Sequence, residues 1–224
     1  MSLLEKRIET VPVVVIDTEA TGLHLGLGHR LVEVGAVRLE NGRKVGKFSR
    51  LINPGRPMGA QAAAVVGIQD EDLKNQPPFS TITAEFLSFI EGALLVAHNA
   101  AFDANFIALE LVLGDADGRL PLAQPVLPNP WLCTLLLARR HFHFGRNHLG
   151  HVAHKLGIPV GRAHRALNDV YTTVEVFKRM VRQLRKNQRL ETVADFLHAQ
   201  GGAIYSPPPP NIPWMNSFLS YDYL

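Results

Sequence analysis

The chain has 224 residues, of which 46% are apolar, and carries a formal net charge of +3 and a single cysteine. This length and apolar content predict one sizeable core, and so one domain with a tail. The lone Cys133 excludes a disulfide framework and a Cys-rich zinc site, and no apolar run resembles a signal peptide or is long enough to span a bilayer, so we expect a cytoplasmic protein with no membrane contact.

The basic residues are concentrated in one part of the sequence. Residues 131–190 hold 12 Lys and Arg residues against Asp169 and Glu175, whereas the remainder of the chain is acidic. This distribution favours a protein that draws a polyanion towards a carboxylate-lined site filled by cations. The alternative is that the basic run from Lys178 to Arg189 is the solvated face of a helix.

The N-terminal part of the chain predicts three antiparallel strands. Val11 to Ile16 is rich in β-branched residues and predicts a buried strand that runs into Asp17-Thr18-Glu19. Arg30 to Leu39 and Lys44 to Ile52 flank the turn signal Asn41-Gly42, which predicts a hairpin.

After a loop, the chain predicts helices that alternate with short strands. In order, these are a helix from Phe79 to Ile90, a strand from Ala93 to Ala97, a helix from Asp103 to Leu113, a loop from Gly114 to Pro130, a strand near Trp131, and helices from His148 to Leu156 and Arg165 to Leu184. This order predicts an α/β fold with a mixed sheet. Four prolines at 207–210 form a spacer before an aromatic segment, so we divide the chain into a domain at 1–190 and a tail at 191–224.

Four acidic residues and one histidine lie at the ends of these elements. Asp17 and Glu19 are two residues apart at a strand end, so their side chains leave the sheet on one face. Such a pair repels itself unless cations such as Mg²⁺ or Mn²⁺ lie between the oxygens. Asp103 opens a helix after a strand, and Asp169 follows His164 by five residues at the start of another helix. Each of these five residues alone could be explained as a hydrogen-bonded residue at a strand end, a helix cap or an ordinary surface residue. Together they indicate one site.

The chemistry that suits this set is phosphodiester hydrolysis. The reaction needs an activated water, charge neutralisation on the phosphate oxygens and stabilisation of the leaving 3′ oxygen. Two divalent ions held by carboxylates supply the last two and lower the pKa of the water. A histidine whose pKa lies near neutrality can accept the proton of that water.

Three segments carry these residues: Ile16-Asp-Thr-Glu-Ala-Thr-Gly-Leu23, Val96-Ala-His-Asn-Ala-Ala-Phe-Asp-Ala-Asn-Phe106 and His164-Arg-Ala-Leu-Asn-Asp169. In sequence and in order they resemble the motifs of the DEDDh, or DnaQ-like, 3′-5′ exonucleases, a family whose bacterial members include the proofreading epsilon subunit of DNA polymerase III. The similarity extends from about Pro12 to Met180. It implies a ribonuclease H-like fold, in which a five-stranded mixed sheet has helices on both sides.

The resemblance also implies the roles of the catalytic residues. Asp17, Glu19, Asp103 and Asp169 would hold two Mg²⁺ or Mn²⁺ ions, and His164 would be the general base. The products would be nucleoside 5′-monophosphates.

Further residues would contact the substrate strand: Thr18, Leu23, His98, Asn99 and Phe102. By resemblance, Leu23 would wedge against the terminal bases. The alternative for Leu23 is ordinary core packing, and for Phe102 a place in the core is favoured over a base-stacking platform.

Some segments differ from the family or carry other signals. Val66-Gly-Ile-Gln69 stands where His-Gly-Ile-Thr is usual, and Cys133-Thr134 where Asp-Thr is usual, which leaves the carboxylate set intact. Five histidines between His141 and His154 suggest zinc, but without Cys or acidic companions an exposed polar face that touches phosphates is favoured.

The leading interpretation is an exonuclease that degrades single-stranded DNA from the 3′ end in proofreading or repair. An RNA exonuclease of the RNase T or oligoribonuclease type remains an alternative, because the motifs report cleavage chemistry and not the sugar. A second alternative, of another class, is an inactive nucleic-acid-binding scaffold. The aromatic tail either docks on a DNA polymerase subunit or a sliding clamp, or covers an apolar patch of its own domain.

Overall fold

The structure, a computed structural model, describes residues 1–114, 127–160 and 165–206. His164, the tail after Ser206 and most of the loop predicted from Gly114 to Pro130 lie outside the described residues. None of the helices in the described ranges combines the length and apolarity needed to cross a membrane.

In the described part of the chain, five strands form one mixed sheet. The strands are β1 (Val13–Ala20), β2 (Leu31–Glu40), β3 (Arg43–Leu51), β4 (Leu94–Ala97) and β5 (Trp131–Cys133). Their order across the sheet is β3-β2-β1-β4-β5. The strand β2 is antiparallel to β1 and β3, whereas β4 is parallel to β1 and β5. The predicted five-stranded mixed sheet is confirmed.

The helices of the described ranges fall before, between and after the later strands. They are α1 (Ala60–Val66), α2 (Asp70–Leu73), α3 (Phe79–Ile90), α4 (Ala100–Leu113), α5 (Thr134–His141), α6 (Leu149–Lys155), α7 (Ala166–Gln188) and α8 (Val193–Gln200).

The central strand β1 separates two apolar layers. Its side chains alternate in direction, as those of any strand do. Val13 and Val15 belong to the layer formed with α5 to α8, and Val14 and Ile16 to the layer formed with α3 and α4. Helices therefore cover both faces of the sheet, as the resemblance implied.

Two short helices lie where the sequence predicts a loop. The helices α1 and α2 have seven and four residues and are too short to display a helical repeat of apolar positions. They form because Ala63, Val66 and Leu73 are buried in a small cluster over Val32 of β2. Tertiary contact, not local pattern, stabilises them.

Part of the segment assigned to the tail packs on the domain. Thr192 caps α8, because its hydroxyl accepts a hydrogen bond from the Asp195 N–H while the Asp195 carboxylate accepts one from the Thr192 N–H. Val193, Phe196 and Leu197 of α8 are buried in the same apolar layer as α7. Residues 191–206 thus continue the domain beyond the predicted boundary at 190.

Candidate metal centre

The strand β1 continues through the two acids of the first motif. Asp17 pairs with Gly35 of β2, and Glu19 pairs with Glu33. Because the strand stays regular up to Glu19, the two carboxylates project from the same face of the sheet. Both side chains are partly exposed at this end of β1.

Asp169 joins this pair from a distant part of the chain. It lies in the first turn of α7, whose N-terminus packs over β1 and β2. Carboxylate oxygens of Asp17, Glu19 and Asp169 all lie within 4.8 Å of one another. The structure thus brings the first and third motifs together.

Asp103 is linked to the same strand by a hydrogen bond. Thr18, between Asp17 and Glu19, donates its hydroxyl to Oδ1 of Asp103 at 2.8 Å. Asp103 lies in the first turn of α4 and is only 3% exposed. The second motif therefore meets the first through Thr18, which gives that residue a structural contact besides its predicted place near the substrate.

The crowding of the carboxylates changes their pKa values. Burial, and then repulsion from Asp103, Glu19 and Asp169, raises the pKa of Asp17 well above its usual range. Burial and the charge of Asp169 raise the pKa of Glu19 to about 8. Burial raises the pKa of Asp103 to about 7, against the lowering effect of the Thr18 hydrogen bond. A cation among these oxygens would relieve the repulsion.

The donor set suits a hard divalent cation. Carboxylate oxygens that converge from two elements are the ligands that Mg²⁺ and Mn²⁺ prefer, and these ions usually bind through a few carboxylates together with substrate phosphates. The histidine-rich segment is different. Among the described residues, the acids of β1 and α7 are the group with metal-binding geometry, and no such group includes a histidine from 141 to 154.

Several of those histidines form hydrogen bonds that secure the local backbone. Nε2 of His151 lies 2.9 Å from the Phe144 carbonyl, and Nε2 of His141 lies 2.9 Å from the Ala199 carbonyl. His148 caps α6 by accepting a hydrogen bond from the His151 N–H. Cys133 is buried, as expected of a small core residue.

His98 of the second motif has a partner for each ring nitrogen. Nδ1 lies 2.9 Å from the Thr134 hydroxyl, and Nε2 lies 2.8 Å from the Asn147 carbonyl. Since a carbonyl only accepts, Nε2 carries the proton. Burial lowers the pKa of His98, so the ring is held neutral. The hydrogen bonds of His98 join the end of β4 to the segment before α6. Its contact with the nucleic-acid substrate remains a prediction.

The other predicted substrate-binding residues lie in the loop after β1 and at the N-terminal end of α4. Asn99 has a φ of 84° and caps α4 in the left-handed conformation. Leu23 is 74% exposed, which excludes ordinary core packing. It lines a cavity of about 250 Å³ with Phe102, whose half-buried ring lies 4.7 Å from the ring of Phe106. Leu23 and Phe102 thus present apolar surface beside the second motif.

Two functional candidates, Glu33 and Arg165, are absent from the sequence prediction. Glu33 is 2% exposed, and both of its oxygens bind the start of α7 through Arg165 and the Ala166 N–H. The signal was a single charge in the apolar run from Leu31 to Val37, which requires a partner when buried.

Comparison with known proteins gives the family. The family model described as Exonuclease, RNase_T, matches residues 14–177, most of the chain. The chain belongs to this exonuclease family. The match spans all three motifs, and the resemblance to the DEDDh, or DnaQ-like, exonucleases is confirmed.

Relatives in this family carry names from DNA replication. The chain is 38% identical to a DNA polymerase III subunit epsilon-like protein of Rhodobacter capsulatus over 82% of its length, but spans only 26% of that protein. It is 34% identical to the PolC-type DNA polymerase III of Thermotoga petrophila over 81% of its length, and spans 13% of it. With the DNA polymerase III subunit epsilon of Rickettsia prowazekii, identity is 38% over 73% of this chain and 71% of the relative.

Solved structures share the fold. Exonuclease X, determined in complex with 5′ overhanging duplex DNA, superposes with a TM-score of 0.63 at 25% identity, over 84% of this chain and 99% of that one. The nuclease domain of 3′hExo, a DEDDh family member bound to rAMP, gives a TM-score of 0.66 at 17% identity, over 83% and 98% of the two chains. The ribonuclease H-like fold is confirmed.

Proposed function

We propose that the exonuclease is metal-dependent, hydrolyses single-stranded DNA from the 3′ end and releases nucleoside 5′-monophosphates. The observation that carries this proposal is the convergence of Asp17, Glu19 and Asp169 within 4.8 Å, with Asp103 joined to the same strand through Thr18. These residues come from three separate elements, β1, α4 and α7. Their mutual repulsion makes the group costly without bound cations.

The four acids would hold two Mg²⁺ or Mn²⁺ ions beside the scissile phosphate. When bound, such ions offset charge on the phosphate oxygens and lower the pKa of the attacking water. Asp17, Glu19 and Asp169 would supply ligand oxygens, and Asp103 is held in orientation by the Thr18 hydroxyl. His164 would accept the proton of the attacking water on a ring nitrogen.

The substrate strand would enter across the apolar surface formed by Leu23 and Phe102. Leu23 exposes most of its side chain next to Phe102, so the pair offers a surface on which terminal bases can rest. DNA is favoured over RNA because the relatives at 34 to 38% identity carry DNA polymerase III names. Those names also support a role in replication proofreading or repair, and with it a cytoplasmic location.

A digestion experiment tests the proposal. Matched 5′-labelled DNA and RNA oligomers are incubated with the protein and Mg²⁺ or Mn²⁺, with Asp17→Ala as the control. Shortened strands are resolved on timed gels, and the released, unlabelled mononucleotides are identified by chromatography. We expect DNA to shorten one nucleotide at a time with release of 5′-monophosphates, and no product from Asp17→Ala. Faster digestion of RNA than of DNA would instead support the alternative, an RNA exonuclease of the RNase T or oligoribonuclease type. Binding of strands without any mononucleotide would support the inactive scaffold.

A partner is part of the proposal as well. The epsilon-like relatives favour association with a DNA polymerase subunit or a sliding clamp, and the aromatic segment after the proline spacer is the proposed contact. That segment lies beyond Ser206, the last described residue.

A further inference from the structure

A fifth carboxylate, that of Glu33, lies beside the proposed metal centre but is not among its proposed ligands. Glu33 stands directly opposite Glu19 in the β1–β2 pair, and its side chain is 3% exposed. Its charge contributes to the raised pKa of both Asp17 and Glu19. A buried charge that opposes its neighbours is expensive unless it makes strong contacts of its own.

The contacts of Glu33 all go to the start of α7. Oε1 accepts a hydrogen bond from Nη2 of Arg165 at 2.9 Å. Oε2 accepts from Nε of Arg165 at 3.2 Å and from the backbone N–H of Ala166 at 3.1 Å. Ala166 is the first residue of α7, so the carboxylate also satisfies one of the N–H groups that a helix start leaves unpaired.

A glycine beside Glu33 lets the helix approach closely. Gly35 is two residues further along β2 and pairs with Asp17. A Cβ on Gly35 would lie 2.6 Å from the backbone nitrogen of Leu167 and 2.7 Å from the carbonyl carbon of Ala166. The first turn of α7 therefore rests directly on β2, beside the acids of β1.

Asp169 is attached rigidly to this contact. It is three residues after Ala166, less than one helical turn away. Any shift of the helix start along or away from β2 would move the Asp169 carboxylate relative to Asp17 and Glu19. Ligands of a divalent ion tolerate only a few tenths of an ångström of displacement.

We propose that Glu33 and Arg165 are positioning residues, which set the distance between Asp169 and the β1 acids and are not themselves metal ligands. This inference rests on the proposed function. The fork of Arg165 fixes the direction of the Glu33 carboxylate, and the carboxylate fixes the helix start. Contacts of this kind around metal ligands are worth roughly 10 to 100-fold in metal affinity or activity.

Charge and position make opposite predictions for Arg165. If only the charge of Arg165 mattered, Arg165→Gln would remove a cation near the site and would tighten the binding of a metal ion. If Arg165 holds the helix start in place, the same substitution would weaken it. The side chain of Arg165 is 46% exposed, so its removal leaves no large void and the variant is expected to fold.

The chain offers a matched control in a second buried ion pair. Glu110 of α4, 1% exposed, accepts two hydrogen bonds from Arg30 and one from the backbone N–H of Leu31. The pair reproduces the contacts of Glu33 but involves no residue of α7. Glu110→Gln therefore reports the loss of a buried ion pair without a displaced helix start.

The experiment measures Mn²⁺ binding by calorimetry on the full chain, well below the melting temperature of each variant. We expect Arg165→Gln and Glu33→Gln to raise the Kd for Mn²⁺ by about 10-fold, and Glu110→Gln to leave it within about twofold of the parent. The kcat on a DNA oligomer should fall in the first two variants. An unchanged or lower Kd in folded Arg165→Gln would overturn the inference, even if Glu33→Gln fails to fold.

The same titrations separate this inference from the proposed function. If the parent binds Mn²⁺, Asp17→Ala does not, and Arg165→Gln equals the parent, only the positioning role is overturned. If the parent neither binds Mn²⁺ nor releases mononucleotides, the proposed function and this inference both fail.

Discussion

Thr18 donates a 2.8 Å hydrogen bond to Oδ1 of Asp103 and so couples the acids of the first motif to the acid of the second. The hydroxyl lies between two residues of the proposed metal centre in sequence and contacts a third in space. Without it, Asp103 would be a buried carboxylate with fewer donors.

The first prediction concerns this bond. Thr18→Val keeps the shape of the side chain but removes the donor, which costs about 1 to 3 kcal/mol at a buried acceptor. The bond lowers the pKa of Asp103, which burial raises to about 7, so its loss raises that pKa further. We expect kcat at pH 7 to fall about 10-fold or more, with partial recovery at pH 9. Thr18→Ser, which keeps the hydroxyl, should resemble the parent, and equal pH–rate profiles for all three would refute the coupling.

A second prediction links pH to stability in the absence of metal. The pKa of Glu19 is raised to about 8 and that of Asp103 to about 7, both above their usual values of 4.5 and 3.8. Groups whose folded pKa is raised contribute stability at low pH that is lost as pH rises through the folded value. The melting temperature in EDTA should therefore fall by several degrees between pH 5 and pH 8.5.

The control for that experiment removes one of the repelling charges. Asp17→Asn should show a smaller fall over the same range, because the pKa of Asp17 is itself raised by burial and by repulsion from Asp103, Glu19 and Asp169, and the variant removes that titrating group. Saturating Mn²⁺ should abolish the fall in the parent. A melting temperature that stays constant or increases with pH in EDTA would contradict the crowding of carboxylates.

The third prediction separates the role proposed for His164, the general base, from the role proposed for the acids, the metal ligands. His164→Ala should lower kcat by about 10² to 10⁴-fold with Mn²⁺ affinity preserved, because a base moves a proton and holds no ion. Asp17→Ala should lose both activity and Mn²⁺ binding. Equal rates of His164→Ala and the parent from pH 6 to pH 9 would remove His164 from the mechanism.

The fourth prediction tests the apolar surface formed by Leu23 and Phe102. Leu23 is 74% exposed, so Leu23→Ala should leave the melting temperature within about 1 °C, since substitutions at exposed sites change stability little. The KM for a DNA oligomer should rise several-fold, because the side chain would contact terminal bases. Leu27→Ala, at a 67% exposed position in the same loop, is the matched control and should leave both quantities unchanged. A similar KM effect in both variants would argue against a specific role for Leu23.

The fifth prediction addresses the tail. Truncation after Ser206 keeps the Ser206 hydroxyl, which accepts a hydrogen bond from the indole of Trp131. If the tail docks on a partner, the shortened chain should keep its melting temperature and lose capture of a DNA polymerase subunit or clamp. A drop in melting temperature with capture retained would assign the tail to its own domain.

The sequence was sufficient to predict the sheet and the shared direction of the Asp17 and Glu19 side chains. The β-branched run before Asp17 and the turn at Asn41-Gly42 are strong local signals, and both strands of the hairpin form where predicted. Asp17 and Glu19 share a face because the period of a strand is two, which needs no tertiary information. The meeting with Asp169 required the family motif, since nothing local indicates that α7 begins beside β1.

What could not be predicted depends on contacts between distant segments. Glu33 and Arg165 are 132 positions apart, and their pairing follows only from the packing of α7 on β2. The contacts of His98 with Thr134 and Asn147 depend on β4 and β5 lying side by side. The helix α8 had a local signal in Thr192 and Asp195, but the prediction ended the domain after the helix at 165–184 and so placed the boundary before α8.

The separation of the acids along the chain has a consequence for biosynthesis. Asp17 is near the N-terminus, whereas Asp169 arrives only after α7 has begun, about 150 positions later. A ribosome-bound chain that has not yet emerged as far as α7 cannot assemble the full ligand set. All five strands of the sheet end at or before Cys133, so the proposed ligand set is completed only after every strand has been synthesised.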